Sequence, residues 1–426
     1  MITRAHRRSA QAIALPPRVS RLPQLRRWKM AFIFLLLLLV AIIVVMNLPG
    51  YVSPVVAAQW SSSVATLSGN QTAAIPKSTP MATPLSAGQQ SDASMALRRI
   101  NQLDPSQYAS QADATIWSYS ACSAAALTEV INSYGFSYRI ADILHVESQI
   151  GAITPSQGLT TEAGIATTAK LFGFTTSWGQ SLSLNQVIAI ANAGQPVIVS
   201  WPPATYDGGH IVVVTGGDAQ TVRLADSSRY NRTSLSRTQF AAWWQGFSAI
   251  LTPPADLLAG RPTVTASFLN QVLAHYNSPA VGQGQSLYNL GEHYDIDPAY
   301  ALAFFFHESS FGTAGMARIT HSLGNSRCVQ DAACINTSGG DCQAGQSCYA
   351  SYANWADGFA GWYQQMTAYL NGSLEYYLTQ QWKPLTTLET IIPVYAPSSD
   401  HNDVSAYISA IQTAVATWRS GKVVML

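Results

Sequence analysis

The chain has 426 residues, which is enough for two or three compact domains. Its formal net charge of +1 gives no overall electrostatic case for nucleic-acid binding. Only 11% of its residues are Asp, Glu, Lys or Arg, and Ser, Thr, Asn, Gln, Gly and aromatic residues supply the polarity instead. This composition favours an extracytoplasmic protein that handles neutral polymers such as glycans.

The N-terminus combines a basic segment with an apolar one. Residues 1–30 form a tail with eight Lys or Arg and no acidic residue, and residues 31–46 are uninterrupted apolar side chains. Since a membrane-spanning helix needs roughly 17 to 20 apolar residues, we predict a transmembrane helix over 31–48. The basic flank predicts a cytoplasmic N-terminus and extracytoplasmic domains. A cleaved signal peptide is the alternative, since residues 56–58 are small; the protein would then be secreted.

Residues 59–100 are rich in Ser, Thr, Ala, Pro, Gly and Gln and show no apolar periodicity. Such a stretch buries too little apolar surface to offset the entropy of ordering, so we predict a disordered tether. The tether would hold the domains that follow away from the membrane.

Residues 105–252 show helical patterns first and strand patterns later. Apolar spacing predicts helices near 127–134, 161–171 and 184–192. Short apolar runs predict strands at 197–201, 210–215 and 222–225. Because Gly216-Gly217-Asp218 favours a hairpin-like turn between the last two strands, we predict an α+β domain with a small antiparallel sheet.

Three residues of this domain form a catalytic pattern. Cys122 stands at the start of the first helix, and a helix N-terminus stabilises a thiolate nucleophile. The thiol needs a base, and His210 opens a strand directly after two glycines. Asp226 follows the next strand, so pairing of the two strands brings it to the same sheet edge as His210, where it can orient the imidazole. A buried inert thiol is the competing interpretation of Cys122.

Residues 105–252 resemble papain-like cysteine peptidases of the bacteriocin-processing (peptidase-39-like) type. The matching elements are Cys122 before a small-residue helix, GQPVIV at 194–199, GHIVVVTG at 209–216 and LAD at 224–226. The resemblance implies that Cys122 is the nucleophile, His210 the base and Asp226 the orienting acid.

Two positions differ from the family pattern. The family usually has Cys-Gly-Pro, whereas this chain has Cys122-Ser123-Ala124. The family's oxyanion-hole Gln precedes the cysteine at a position where this chain has Ile116, and Gln111 is the nearest Gln. If Gln111 does not reach the site, backbone N–H groups or another side chain must complete the hole. The domain is therefore either an active hydrolase or a binding module.

A proline-rich linker is predicted over 253–262, and residues 263–426 read as an all-α domain without strands. Four helices are predicted at 288–294, 298–308, 355–370 and 404–418. The domain also holds four cysteines in a Gly- and Ser-rich stretch: Cys328, Cys334, Cys342 and Cys348. Outside the cytoplasm they imply two disulfides, since their spacing fits zinc poorly. The sequence leaves the connectivity open, and Cys328–Cys334 with Cys342–Cys348 is the simplest choice.

Glu308 lies at the end of the apolar helical segment that precedes it, just before Ser309-Ser310-Phe311-Gly312. Apolar surroundings raise the pKa of a carboxyl group, which suits an acid that protonates a glycosidic oxygen. A surface Glu near a helix end is the alternative interpretation.

Residues 263–422 resemble lysozyme-like glucosaminidases of the mannosyl-glycoprotein endo-β-N-acetylglucosaminidase-like type. The matching segments are Glu308-Ser309, SLGNSR at 322–327 and YAPSSDHND at 395–403. The resemblance implies Glu308 as the general acid and a cleft bordered by Asn325 and Tyr395. Such hydrolysis usually uses a second carboxylate, and four candidates stay open: Asp341, Asp357, Asp400 and Asp403.

These observations predict a membrane-anchored, bimodular hydrolase of peptidoglycan, which cuts glycan with Glu308 and peptide or amide bonds with Cys122. One alternative is a non-catalytic binding module at 105–252. Another is a processing protease with an inactive, wall-binding lysozyme-like domain. No metal or other cofactor is expected, because the chain lacks a phosphate-loop glycine pattern and an HExxH motif.

Overall fold

The computed structural model describes residues 92–328, 332–343 and 346–425. The predicted basic tail at 1–30, the predicted transmembrane helix at 31–48 and residues 59–91 of the predicted tether lie outside these ranges. Among the described residues, no helix is both long enough and apolar enough to cross a membrane.

The first part of the described chain packs helices against a six-stranded antiparallel sheet. Its helices are α1 Ala93–Ala96, α2 Gln111–Trp117, α3 Cys122–Ser133, α4 Ile140–Gln149, α5 Ala163–Leu171, α6 Leu184–Asn192 and α7 Arg237–Trp243. Its strands are β1 Ile153–Thr154, β2 Gly158–Leu159, β3 Thr175–Gly179, β4 Val197–Trp201, β5 His210–Gly217, β6 Thr221–Ala225, β7 Ser234–Ser236 and β8 Ser248–Thr252. The sheet order is β3-β8-β4-β5-β6-β7, and β1 pairs with β2 separately.

The central strands are apolar on both faces. Since successive side chains of a strand point to opposite faces of the sheet, they pack into two different cores. Ile198 and Val213 pack into the core that contains α3, whereas Val197, Val212 and Val214 pack into the one beneath α6. The sheet is therefore larger than the three predicted strands. The outer strands β3 and β7 were missed because they are short, polar and only partly buried.

The second part of the chain is mainly helical. Its helices are α8 Ala266–His275, α9 Gly284–Tyr294, α10 Pro298–Ser309, α11 Ala317–Thr320, α12 Trp355–Leu370, α13 Ser373–Thr379, α14 Leu388–Tyr395 and α15 Val404–Arg419. The all-α prediction needs a correction, since β9 Ala333–Asn336 and β10 Cys348–Ser351 pair as an antiparallel hairpin. Its strands lack an alternation of apolar and polar residues, so no strand pattern marked them. The structure joins Cys328 to Cys334 and Cys342 to Cys348.

Two segments expected to be loose are packed. In the predicted tether, Ala93 and Leu97 are buried, and the Ile100 N–H donates to the buried carboxyl group of Glu129 at 2.8 Å. In the predicted linker, Leu258 is fully buried and Ala259 bridges Ile296 in an isolated β-bridge. Both segments gain apolar partners that a local composition pattern does not report.

The two parts of the chain share one continuous hydrophobic core. Gly135, at φ +109°, lies so close to Gly260 that a Cβ would approach its Cα to 2.7 Å. The Tyr138 hydroxyl donates to the Leu370 carbonyl, and the Thr386 hydroxyl donates to the Phe172 carbonyl. The described residues therefore belong to one compact unit.

Candidate functional site

Cys122 is the first residue of α3 and is half-buried. The helix has no side-chain cap at its N-terminus, and the first N–H groups of a helix lack intrahelical partners. Cys122 lines a cavity of about 910 Å³ together with His210, Gln102 and Glu162. The thiol therefore combines a helix N-terminus with access to a space large enough for a peptide segment.

Strand pairing brings His210 and Asp226 together. His210 is the first residue of β5, and Asp226 directly follows β6, which runs antiparallel to β5 in the register Val213↔Ala225. The His210 Nε2 lies 2.8 Å from the Asp226 Oδ1, and both side chains are buried. The turn between the strands starts at Asp218, because Gly216 and Gly217 belong to β5 itself.

The electrostatics favour a charged imidazole. Burial opposes the imidazolium form of His210, but hydrogen bonds and charges from Asp226 and Cys122 outweigh burial and raise its pKa to about 9. Burial likewise opposes the Asp226 carboxylate, yet its bonds to His210 and Ser228 hold its pKa well below the usual range. In space, the imidazole therefore lies between the thiol and the carboxylate, and it is protonated at neutral pH.

The model of the Peptidase C39 family matches residues 117–256, which contain all three of these side chains. The matched region thus resembles a C39 peptidase domain. Among curated proteins no match was found.

The chain is similar to several solved structures. The peptidase domain of Streptococcus ComA, a bi-functional ABC transporter of a quorum-sensing pathway, is 25% identical with a TM-score of 0.28, covering 32% of this chain and 93% of that chain. A double glycine motif protease from an AMS/PCAT transporter, in complex with its leader peptide, is 14% identical with a TM-score of 0.27, covering 41% and 100%. A C39-like peptidase from Bacillus anthracis is 13% identical with a TM-score of 0.28, covering 37% and 95%.

The structure does not bring Gln111 to the Cys122 site. Gln111 begins α2 with an exposed side chain and is not among the residues that line the cavity. Gln102 lines it instead: its Nε2 donates to the Ser118 carbonyl at 2.9 Å and its Oε1 accepts from the Ser227 hydroxyl at 2.8 Å. Gln102 was missed because it lies in the loop before the predicted domain, and only the fold brings it beside Cys122.

Glu308 lies near the end of α10 and is partly buried. Its Oε1 accepts a hydrogen bond from the Tyr407 hydroxyl at 2.6 Å, and the Asn325 side chain donates to its backbone carbonyl at 2.7 Å. Burial raises the pKa of Glu308, and the bonds from Tyr407 and Asn325 partly oppose that rise. Tyr407 was missed because it sits on α15, far from Glu308 in sequence.

Tyr395 packs against Phe304 with ring centroids 5.2 Å apart, and its hydroxyl donates to the Gly324 carbonyl at 2.8 Å. It therefore borders the Glu308 region without a hydrogen bond to the carboxylate. Its ring centroid is 6.4 Å from that of Tyr407, which links the two tyrosines beside Glu308.

The four acids considered as a second carboxylate have other surroundings. Asp403 accepts from the Ala406 N–H at the start of α15, and Asp357 bonds the Asn354 side chain at the start of α12. Asp341 and Asp400 are exposed. Helix capping accounts for the first two, so none of the four is assigned as a partner of Glu308.

The raised pKa of His210 has a measurable consequence. NMR titration of the imidazole resonances that disappear in His210→Gln should give a midpoint near pH 9, well above the ordinary 6.5. In Asp226→Asn the midpoint should fall, because burial is then opposed by Cys122 without the carboxylate. A midpoint at or below 6.5 in the unaltered protein would contradict this electrostatic description.

Proposed function

We propose that the chain is a cysteine peptidase in which Cys122 attacks the carbonyl carbon of a peptide or amide bond. The observation that carries this proposal is the placement of His210 between the Cys122 thiol and the Asp226 carboxylate, 2.8 Å from the latter. The match of residues 117–256 to the Peptidase C39 family supports the same chemistry.

The reaction follows from this arrangement. The Cys122 thiolate forms a bond to the carbonyl carbon, and the negative oxygen is stabilised by free N–H groups at the start of α3 and by the Gln102 amide. His210 gives its proton to the leaving amine as the C–N bond breaks, which leaves a thioester on Cys122. His210 then takes a proton from water, the water oxygen attacks the thioester, and the acid product and free thiol are released.

Substitution at the site should separate its residues by role. Cys122→Ala should lower the kcat/KM for cleavage of a fluorogenic peptide library by at least about 10³-fold, since no other nucleophile is positioned. Gln102→Ala should lower kcat by about 10²-fold, as expected for the loss of one oxyanion donor. Gln111→Ala is the matched control and should leave both constants unchanged. Equal losses for the two Gln variants, or cleavage that survives Cys122→Ala, would refute the assignment.

A second candidate activity, acid-catalysed cleavage of a glycan by Glu308, is favoured by its surroundings. The carboxyl group is partly buried, its pKa is raised, and Tyr407 holds one oxygen at 2.6 Å. A proton retained at higher pH than usual is what a general acid needs. With Cys122 cutting peptide stems, the two sites together fit peptidoglycan as the substrate, in the extracytoplasmic setting expected from the sequence. If Cys122→Ala leaves the activity of the protein unchanged, the C39 domain has a non-catalytic binding role.

The glycosidase proposal predicts a specific pH dependence. Glu308→Gln should reduce the release of reducing sugar from purified peptidoglycan by at least about 10²-fold. Tyr407→Phe removes a bond that stabilises the carboxylate, so the pKa should rise and activity should persist to higher pH. The exposed Glu292→Gln is the control. Sugar release that is unchanged in Glu308→Gln would exclude the role.

A further inference from the structure

The Asp226 carboxylate has a second cationic partner besides His210. Its Oδ1 takes the His210 Nε2 and the Ser228 N–H, whereas its Oδ2 lies 2.9 Å from the Arg232 Nη1 and 3.3 Å from the Arg232 backbone N. The Asp226 side chain has 0% of its surface exposed and that of Arg232 has 19%. A carboxylate buried this completely requires compensation by charge and by hydrogen bonds.

The guanidinium of Arg232 is itself held in place. Its Nη2 donates to the Tyr206 hydroxyl at 3.0 Å, and its Cζ lies 4.3 Å from the ring centroid of Tyr230. The ring centroids of Trp243 and Trp201 lie 5.5 Å and 6.0 Å from the same Cζ. A planar group fixed by a hydrogen bond and by aromatic faces loses little further entropy when it orients a carboxylate.

We propose that Arg232 is a positioning residue for the peptidase reaction, which fixes Asp226 and completes a chain of alternating charges from the thiolate through the imidazolium and the carboxylate to the guanidinium. This inference rests on the proposed cysteine peptidase. With Arg232 the chain of four charged groups is neutral. Without it the site carries one net negative charge in a buried setting, which weakens the stabilisation of its anions.

Other charged groups near Asp226 do not replace Arg232. Arg99 approaches from the N-terminal segment, but its Nε donates to the Asp226 backbone carbonyl at 2.8 Å and its Nη2 to that of Ser228 at 2.6 Å. Glu129 of α3 is buried, and burial raises its pKa to about 8, so it stays largely neutral at pH 7. Arg232 is therefore the cation that contacts the carboxylate directly, together with His210.

The test measures alkylation of Cys122 by iodoacetamide as a function of pH. Cys122 is the single thiol outside the two disulfides among the five cysteines, so the reagent reports on this site. In the unaltered protein, alkylation at pH 6 should be faster than that of a free thiol. In Arg232→Gln alkylation at pH 6 should be about tenfold slower. Arg232→Lys keeps the charge and should restore the rate.

Arg229→Gln is the matched control. Arg229 lines the same cavity and bonds the Tyr230 hydroxyl at 3.0 Å, but it makes no bond to Asp226. Its profile should superimpose on that of the unaltered protein. A profile for Arg232→Gln that also superimposes, or one for Arg232→Lys shifted as far as that for Arg232→Gln, would overturn the proposal.

A double variant protects the test against misfolding. In Asp226→Asn the carboxylate is absent, so adding Arg232→Gln should shift the pH profile of alkylation no further. The double variant also removes both members of the buried charge pair together. An equal shift in both backgrounds would overturn the role of Arg232. Slow alkylation of Cys122 in the unaltered protein would instead refute the proposed peptidase, which keeps the two failures distinguishable.

Discussion

The buried Asp226 carboxylate is the constraint on which the site depends. It lies at the point where β6 ends beside the start of β5, and it accepts bonds from His210, Ser228 and Arg232. Such a group destabilises a fold unless every lone pair is used, so the loop after β6 must adopt the one conformation that supplies those donors. The same contacts that make the carboxylate tolerable also orient the imidazole toward Cys122.

The N-terminal segment is part of this arrangement and not a spacer before it. Arg99 holds the backbone of the loop after β6, and Gln102 joins that loop to Ser118 and the cavity beside Cys122. Both residues precede the region that matches the family at 117–256. The matched region alone therefore lacks the contacts that these two residues make around Cys122 and Asp226.

Local patterns were sufficient for much of the fold. Ser183 caps helix α6 and forms a capping box with Gln186, and Asn354 caps α12, so both helices coincide with the predicted ranges 184–192 and 355–370. Cys122, His210 and Asp226 could be grouped because a helix start and two adjacent strand ends are readable from periodicity. Their catalytic roles stay predictions.

Long-range contacts account for what the sequence did not reveal. Gln102 and Tyr407 carry no local signal, since each acquires its partner through the tertiary fold. The packing of the predicted linker follows the same rule, because Leu258 is buried by neighbours that are distant in sequence. The hairpin of β9 and β10 was missed for a different reason. Its strands lack an alternation of apolar and polar residues that would fix the register, and they belong to the disulfide-bonded loop.

The most direct test of the central claim is detection of a covalent intermediate on Cys122. An intact peptide that the protein cleaves is mixed with it, and the reaction is quenched in acid within the first turnover. Mass spectrometry then gives the intact mass of the protein and identifies the modified residue. We expect a thioester of the N-terminal peptide fragment on Cys122 and none in Cys122→Ser. Peptide cleavage at an unchanged rate in Cys122→Ser, with no adduct in either protein, would contradict it.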